Sequence, residues 1–180
     1  MQHVLIISTD GFEQSELMEP KRILEEAGAK TTVASLKEGE IKGWDQKDWG
    51  KSVAVDMLVG DVKVDDYDAL LLPGGQMNPD ILRMEPKVIE TIRAFDAAGK
   101  PIAAICHAPW LLAEADIIEG KTVTGWPSIR TDLTNAGAAV VDEEVVVDGN
   151  FITSRKPEDI PAFANALMAA INMETADAAA

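Results

Sequence analysis

The residue pair with the clearest chemical potential in this sequence is Cys106-His107. The apolar run 101–105 before it is typical of a buried strand, and residues 108–115 after it predict the start of a helix. A thiol on the turn between a strand and a helix has the geometry of a nucleophile elbow. The free N–H groups and partial positive charge of a helix start favour the thiolate, so we expect Cys106 to be a reactive nucleophile.

An inert role is the alternative for this thiol. Cys106 is the only cysteine of the chain, and a lone cysteine at the end of a core strand is often just a small buried apolar residue. The neighbouring His107 favours the nucleophile, because an imidazole can act as a general base or as a charged partner of a thiolate. Adjacent residues on a turn point in different directions, so the sequence does not establish their contact.

A glycine pair supplies candidate donors for an oxyanion. Gly74 and Gly75 follow the apolar run 69–72, and glycine lets the backbone approach a ligand closely because it has no Cβ. Their N–H groups, together with the backbone N–H of His107, predict an oxyanion site. A simple turn after a strand is the alternative for Pro73-Gly74-Gly75.

Two carboxyl groups lie near the predicted start of the first helix. Glu13 and Glu16 are three residues apart, so they share a helix face. A carboxyl group beside Cys106 would donate a hydrogen bond to the thiolate when protonated and would repel it when ionised. A structural alternative exists, since carboxylates are stabilised at any helix N-terminus.

These residues need a scaffold, and the sequence predicts one in which strands and helices alternate. Such an alternation indicates an α/β fold with a mostly parallel sheet covered by helices on both faces, in which ligands bind at the carboxyl ends of the strands. A hairpin with an Asp-Gly turn is predicted over 145–153. The other strands are predicted over 4–7, 31–35, 52–56, 69–72 and 101–105 and from 122, and the helices over 14–27, 86–98, 108–115, 128–136 and 157–173.

Three segments depart from the simple alternation. Pro20 lies inside the first helical pattern and predicts a kink or a break there. Residues 37–50 carry turn residues and two tryptophans and predict a polar loop. Residues 174–180 have nothing to bury, which predicts a disordered tail after a single domain over 1–173.

Composition excludes several classes of protein. The chain of 180 residues has a net charge of −15, which opposes binding to nucleic acid or to anionic lipid. No apolar run is long enough to span a bilayer, and the N-terminus lacks the pattern of a signal peptide. One cysteine forms no intrachain disulfide, so we expect a cytoplasmic protein. The two histidines and the cysteine show no metal-ligand spacing, and we expect chemistry without a metal or other cofactor.

Several motifs, taken in order, resemble those of the PfpI family, a group called intracellular peptidases within the class I glutamine-amidotransferase-like superfamily. The similarity covers about residues 2–172, and each motif alone is weak, whereas the ordered set is specific. The motifs are Gly11-Phe12-Glu13-x-x-Glu16-Leu17, Leu72-Pro73-Gly74-Gly75, Asn78-Pro79-Asp80-x-Leu82-Arg83, Ala104-Ile105-Cys106-His107, Thr134-Asn135-Ala136-Gly137 and Val147-Asp148-Gly149-Asn150 with Thr153-Ser154-Arg155.

The resemblance implies a fold, a site and an assembly. The fold would be a flavodoxin-like three-layer sandwich with Cys106 on the elbow and Glu16 near its sulfur. The carboxylate partner of His107 would be Asp80 of a neighbouring subunit, within a homo-oligomer that is a dimer or a hexamer. Asp80 is one methylene shorter than the glutamate of some relatives, and Ala108 stands where many have glycine.

The resemblance also implies an activity on a small carbonyl or peptide substrate. A cysteine peptidase or amidase is the first reading, and a glyoxalase or deglycase acting on methylglyoxal and its adducts is the alternative. A third reading is a redox-responsive stress protein in which Cys106 oxidises to a sulfinate held by Glu16, with little turnover. Trp126 replaces a tyrosine of some relatives, and with Trp110 it would either wall the pocket or serve ordinary packing.

Overall fold

The computed structural model describes the backbone of residues 1–178 and the side chains of residues 1–172. The strands are β1 (His3–Ile7), β2 (Phe12–Glu13), β3 (Lys30–Ser35), β4 (Glu40–Asp45), β5 (Asp48–Ala54), β6 (Met57–Leu58), β7 (Ala69–Leu72), β8 (Ile102–Ile105), β9 (Thr122–Val123), β10 (Ala139–Val140), β11 (Val146–Asp148) and β12 (Phe151–Ser154). The helices are α1 (Gln14–Glu26), α2 (Met77–Leu82), α3 (Pro86–Ala97), α4 (Pro109–Glu114), α5 (Arg130–Asn135) and α6 (Ile160–Ala178).

The main sheet has seven strands in the order β11-β12-β8-β7-β1-β3-β6. Every pairing in it is parallel except that of β11 with β12, which form the predicted hairpin. Helices connect β1 to β3, β7 to β8 and β8 to β12, and they therefore cover the sheet, whereas the β4–β5 hairpin connects β3 to β6.

Two apolar clusters pack on opposite faces of this sheet. Successive strand residues alternate between them, so that Leu5 and Ile7 face one cluster and Val4 and Ile6 the other. The first cluster includes buried residues of α3, α4 and α5, and the second includes buried residues of α1 and α6. Burying one such aliphatic side chain stabilises the fold by roughly 1.5–3 kcal/mol. The three-layer α/β sandwich predicted from the alternating pattern is confirmed.

The carboxyl ends of three neighbouring strands bring the predicted site together. Strands β8, β7 and β1 lie side by side and run in the same direction. The segments that follow them start at Ser8, Pro73 and Cys106. These segments therefore converge at one edge of the sheet, as expected for an α/β fold.

The polar loop predicted over residues 37–50 is wrong. Strands β4 and β5 form an antiparallel hairpin there, with Trp44 opposite Trp49 and their rings edge to face at 5.4 Å. Strand β4 also pairs with β2, which carries Glu13. Ile41 and Gly43 are the buried positions of β4, and their strand periodicity is masked in the sequence by the polar residues around them.

Of the kink or break predicted at Pro20, the break is wrong, because α1 continues through it, and the kink stays a prediction. A proline inside a helix removes the hydrogen bond to the carbonyl four residues earlier, here that of Glu16. Pro20 is buried together with Leu17 and Leu24 of the same helix. Apolar burial offsets the lost hydrogen bond, which is how tertiary packing overrides a local helix breaker.

Within the described residues, no helix is both long and apolar enough to cross a membrane. The cytoplasmic location stays a prediction. The tail predicted over 174–180 falls outside the residues whose side chains are described, so its disorder and the domain limit at 173 stay predictions as well.

Candidate active site

The elbow predicted at Cys106 is present. Strand β8 ends at Ile105, and Cys106 adopts a φ of 65°, in the left-handed region that non-glycine residues seldom occupy. Its N–H donates to the carbonyl of Ser154 at 3.0 Å, and its own carbonyl accepts from the N–H of Trp126 at 2.8 Å. These two hydrogen bonds hold the strained residue, and such strain is often found at functional sites.

Cys106 and His107 are in contact. The Cys106 Sγ lies 3.2 Å from the Nδ1 of His107, and both side chains are buried, with exposures of 5% and 8%. Burial lowers the pKa of His107 below its ordinary value of 6.5, so the imidazole is neutral at pH 7. A neutral imidazole with Nδ1 unprotonated can accept the thiol proton, which is the geometry required of a general base.

The thiolate expected from the sequence is not the resting state. Burial raises the pKa of the Cys106 thiol above its ordinary value, and the neighbouring Glu16 would raise it further if ionised. The backbone N–H groups of Gly75 and His107 act in the opposite direction, because they face the sulfur and favour its negative form. The helix dipole contributes little, since α4 is short and begins only at Pro109. The thiol is therefore protonated until a base removes its proton.

Glu16 is a buried carboxylic acid beside the thiol. It is fully buried, and desolvation followed by the charge of Glu13 raises its pKa well above the ordinary value of 4.5. Contacts of this carboxyl group with the Cys106 thiol and with the N–H groups of Gly74 and Gly75 act in the opposite direction and lower the pKa of Glu16, but their effect is smaller than that of burial. Neither carboxyl oxygen has a hydrogen-bond partner of good geometry among the described residues. Burial therefore favours the protonated, uncharged form of Glu16 beside the sulfur.

The glycine pair is required by close packing of the backbone. A Cβ on Gly74 would come within 2.3 Å of a Glu16 carboxyl oxygen and 2.7 Å of the Cys106 Cβ. Gly75 has a φ of 88°, and a Cβ there would lie 2.6 Å from the backbone N of Glu13. The Gly74 N–H faces Glu16, so the donors available next to the sulfur are those of Gly75 and His107.

A cavity of about 520 Å³ opens in front of the thiol. This volume is in the usual range for a small-molecule site. Six predicted site residues line it, whereas Gly74 and Asp80 do not. The lining residues are Gly11, Glu13, Glu16, Trp44, Gln46, Gly75, Gln76, Met77, Cys106, His107, Trp126 and Pro157.

Sequence reasoning missed the wall formed by the β4–β5 hairpin. Trp44 and Gln46 line the cavity, and the Trp44 indole N–H donates to the Gln46 carbonyl at 3.1 Å. The strand pairing of Glu13 with Trp44 holds this wall against the start of α1. The two tryptophans in the supposed loop were the available signal, because large aromatic side chains are usually packed against other parts of the protein.

Two tryptophans fix the imidazole. The Trp126 ring stacks on His107 with centroids 5.7 Å apart, and the Trp110 ring meets it edge to face at 5.2 Å. Of the two alternatives for this pair, Trp126 walls the cavity and Trp110 packs behind His107. The Trp110 indole N–H donates to Asp132 at 2.8 Å, which holds that ring in turn.

Asp80 lies apart from the other predicted residues. It is exposed in the first turn of α2 and does not line the cavity. Its predicted contact with His107 involves a second subunit, and that contact stays a prediction.

Comparisons with known proteins find similar sequences and structures. The model of the DJ-1/PfpI family matches residues 2–170. A deglycase of Pyrococcus abyssi is 43% identical over 160 residues, which cover 89% of this chain and 93% of the relative. General stress protein 18 of Bacillus subtilis is 44% identical over 162 residues, which cover 89% of this chain and 92% of the relative.

A solved structure shares the fold as well. The crystal structure of DJ-1beta from Drosophila melanogaster superposes with a TM-score of 0.82 at 35% identity, covering 91% of this chain and 86% of that one. The likeness in fold therefore extends over most of both chains.

Proposed function

Because the chain belongs to the DJ-1/PfpI family, we propose that it is a deglycase-type enzyme acting on methylglyoxal and its early adducts. The observation that carries the proposal is the contact of the Cys106 Sγ with the His107 Nδ1 at 3.2 Å inside the cavity. The name of the Pyrococcus abyssi relative, a deglycase, supports the same activity.

The first step is addition of the thiol to the aldehyde carbon. The Cys106 Sγ forms a bond to that carbon while the S–H proton passes to the Nδ1 of His107. The carbonyl oxygen takes up the displaced electron pair, and the N–H groups of Gly75 and His107 beside the sulfur are placed to stabilise its charge. Returning the proton from His107 to that oxygen gives a neutral hemithioacetal.

The remaining steps balance with water alone. The hemithioacetal becomes a thioester of lactate when the hydrogen of the sulfur-bearing carbon moves to the adjacent ketone carbon and the hydroxyl proton moves to the ketone oxygen. Water then hydrolyses the thioester, which releases lactate and restores the Cys106 thiol. An amine adduct of methylglyoxal would release the free amine as well as lactate.

The protonation state of the site favours carbonyl addition over peptide cleavage. An aldehyde is electrophilic enough for a thiol assisted by a base, whereas an amide usually requires a preformed thiolate. Burial raises the pKa of Cys106, so a preformed thiolate is scarce at pH 7. Peptidase activity, the first reading from the sequence, is accordingly the alternative.

The Glu13 carboxyl group lines the cavity and is placed to contact the substrate. Its Oε2 accepts from the backbone N–H of Glu16 at 3.0 Å and thereby caps α1, which leaves Oε1 for a ligand. The lining residues include no lysine or arginine. The cavity therefore suits neutral or cationic substrates better than anionic ones.

The function is tested by measuring two activities on one purified batch. We expect lactate to form from methylglyoxal, and free amine to form from its adducts, without hydrolysis of unmodified peptides. Peptide hydrolysis without lactate would instead establish the peptidase. Oxidation of Cys106 by two oxygens at low peroxide, with neither product formed, would favour the redox-responsive stress protein.

The pH dependence of the reaction tests the role of His107. Its pKa is lowered below 6.5 by burial, and only the neutral imidazole accepts the thiol proton. We therefore expect kcat/KM to be constant near pH 7 and to fall as pH decreases, with a midpoint below 6.5. Initial rates of lactate formation between pH 4.5 and 8 measure this pH dependence of kcat/KM. A midpoint above pH 7 would contradict the role of His107 as a buried neutral base.

We also propose that the active assembly is a homo-oligomer in which Asp80 reaches the partner's site. In the single chain, Asp80 is exposed on α2. A residue that contacts a second subunit must be exposed in this way. A carboxylate bonded to the remaining imidazole nitrogen would orient the ring and stabilise its protonated form.

Replacing this carboxylate tests the shared site. Asp80→Asn is expected to lower kcat by about 10-fold, because an amide cannot stabilise the imidazolium formed on attack. Asp65→Asn, at another exposed aspartate, is the control and should leave kcat unchanged. Full activity of Asp80→Asn, or full activity of a monomer identified by analytical ultracentrifugation, would contradict the shared site.

A further inference from the structure

Asn78 connects two of the three segments that form the site. It lies in the first turn of α2 and is fully buried, although it does not line the cavity. Its side chain sits between the end of β1 and the turn after β7. A fully buried amide is costly unless its polar atoms are hydrogen-bonded.

Hydrogen bonds occupy both ends of this amide. The Oδ1 accepts from the backbone N–H of Thr9 at 2.8 Å and, at a longer 3.4 Å, from the Ser8 hydroxyl. The Nδ2 donates to the carbonyls of Pro73 at 3.0 Å and Gly74 at 3.3 Å. This orientation is fixed by the partners, because a backbone N–H only donates and a carbonyl only accepts.

The Gly74 carbonyl is the part of this arrangement that reaches the chemistry. It accepts from Asn78 and also from the backbone N–H of Glu13 at 3.2 Å. The same peptide unit contains the Gly75 N–H, which faces the Cys106 sulfur. In a planar trans peptide the C=O and N–H point in opposite directions, so fixing the carbonyl fixes the N–H.

Glycine makes this restraint necessary. Both residues of the peptide unit are glycines, and Gly75 has a φ of 88°. Glycine occupies positive and negative φ with similar ease, so the unit would otherwise rotate at low cost. Rotation would turn the N–H away from the sulfur and present the carbonyl oxygen instead.

We propose that Asn78 is a positioning residue that holds the Gly74–Gly75 peptide with its N–H aimed at the reacting carbonyl oxygen. The inference rests on the proposed function, since the charged oxygen forms in the addition step. Asn78 acts through Gly75 and contacts neither the substrate nor the thiol. Its loss therefore affects kcat more than KM.

The test is Asn78→Asp, which keeps the acceptor for Thr9 and removes the two donors. When ionised, the new carboxylate repels the Pro73 and Gly74 carbonyls; when protonated, its O–H can donate to one of them. We expect kcat to fall about 10- to 100-fold at pH 8, with KM changed less than threefold. This is less than the roughly 10²- to 10³-fold cost of removing an oxyanion donor, because the Gly75 N–H is misaligned and not removed. The ratio of variant to parent kcat should rise again as pH decreases, which a simple loss of packing would not produce.

A second measurement separates this inference from the proposed function. Amide exchange and the ¹⁵N shift of Gly75 report the peptide orientation without any substrate, and we expect faster exchange in Asn78→Asp and in Asn78→Ser. Ser8→Ala removes the 3.4 Å contact with Asn78 and a 3.5 Å contact with the Thr9 carbonyl, leaves the Nδ2 bonds of Asn78 in place, and should behave as the parent. If the parent makes no lactate but the Gly75 amide still responds, the positioning role stands while the function fails.

Two results would overturn the proposal. One is a kcat within twofold of the parent for both Asn78 variants at pH 8 with Gly75 exchange unchanged. The other is an equal loss of kcat at every pH in Asn78→Asp. If Asn78→Asp does not fold, kcat and Gly75 amide exchange are measured in Asn78→Ser, which introduces no buried charge.

Discussion

Cys106→Ser is expected to lower kcat/KM for methylglyoxal by about 10³-fold or more, measured as lactate release. The hydroxyl holds its proton more tightly than the thiol, and His107, whose pKa is already lowered by burial, removes it poorly. The oxygen is also a weaker nucleophile. The change replaces one atom in a residue that is 5% exposed, so the fold should be preserved.

A matched control keeps this result interpretable. Thr91→Ser is an equally small change at a buried position of α3 that does not line the cavity, and its hydroxyl can still donate to the Lys87 carbonyl. It should retain the parent rate, and both variants should show the parent circular dichroism spectrum. More than a tenth of the parent rate in Cys106→Ser would mean that the sulfur is not the nucleophile.

Glu16→Gln is expected to make the protein increasingly more stable than the parent as pH rises. Glu16 has a raised pKa in the folded protein and an ordinary one, near 4.5, when unfolded. Above pH 4.5 the unfolded chain releases this proton while the folded chain keeps it, so the parent loses up to about 1.4 kcal/mol of stability per pH unit. The loss continues until pH reaches the folded pKa.

Glutamine avoids this loss because it does not titrate. Its amide resembles the protonated acid, with an oxygen for the N–H groups of Gly74 and Gly75 and an N–H for the sulfur. Between pH 5 and pH 7 we expect the stability of the variant relative to the parent to rise by up to about 1.4 kcal/mol per pH unit, measured by urea unfolding. Glu19→Gln, at an exposed position of the same helix, should leave the pH slope unchanged. Parallel curves for the parent and Glu16→Gln would show that Glu16 is ionised in the folded protein.

Local pattern was sufficient to predict the sandwich and most of its elements. Short apolar runs such as 4–7 and 69–72, separated by helical patterns, predict buried strands of a parallel sheet. Both runs form buried strands of the main sheet. Of the hairpin over 40–54, only the end of β5 was predicted, as part of the strand over 52–56. The rest was missed because β2, the strand that pairs with β4, is distant in sequence and the residues of β4 are mostly polar. The helix continues through Pro20 for a similar reason, since burial against the rest of the protein decides whether a helix tolerates a proline.

The candidate site was only partly accessible from sequence. Cys106, His107, Gly75, Glu13, Glu16 and Trp126 were identified from the motifs and line one cavity. The hairpin wall and the Asn78 restraint depend on contacts between segments, and no spacing rule reveals them.

The sequence by itself determined the order of the elements and placed a thiol, an imidazole, two acids and a glycine pair after strands that end at the same edge. The tertiary structure alone decided the protonation of that site. Whether a carboxyl or a thiol is charged depends on how much water surrounds it and on which dipoles face it, and neither quantity is encoded in neighbouring residues. Burial in this fold raises the pKa of the acid and of the thiol, favours their neutral forms, and leaves His107 as the base.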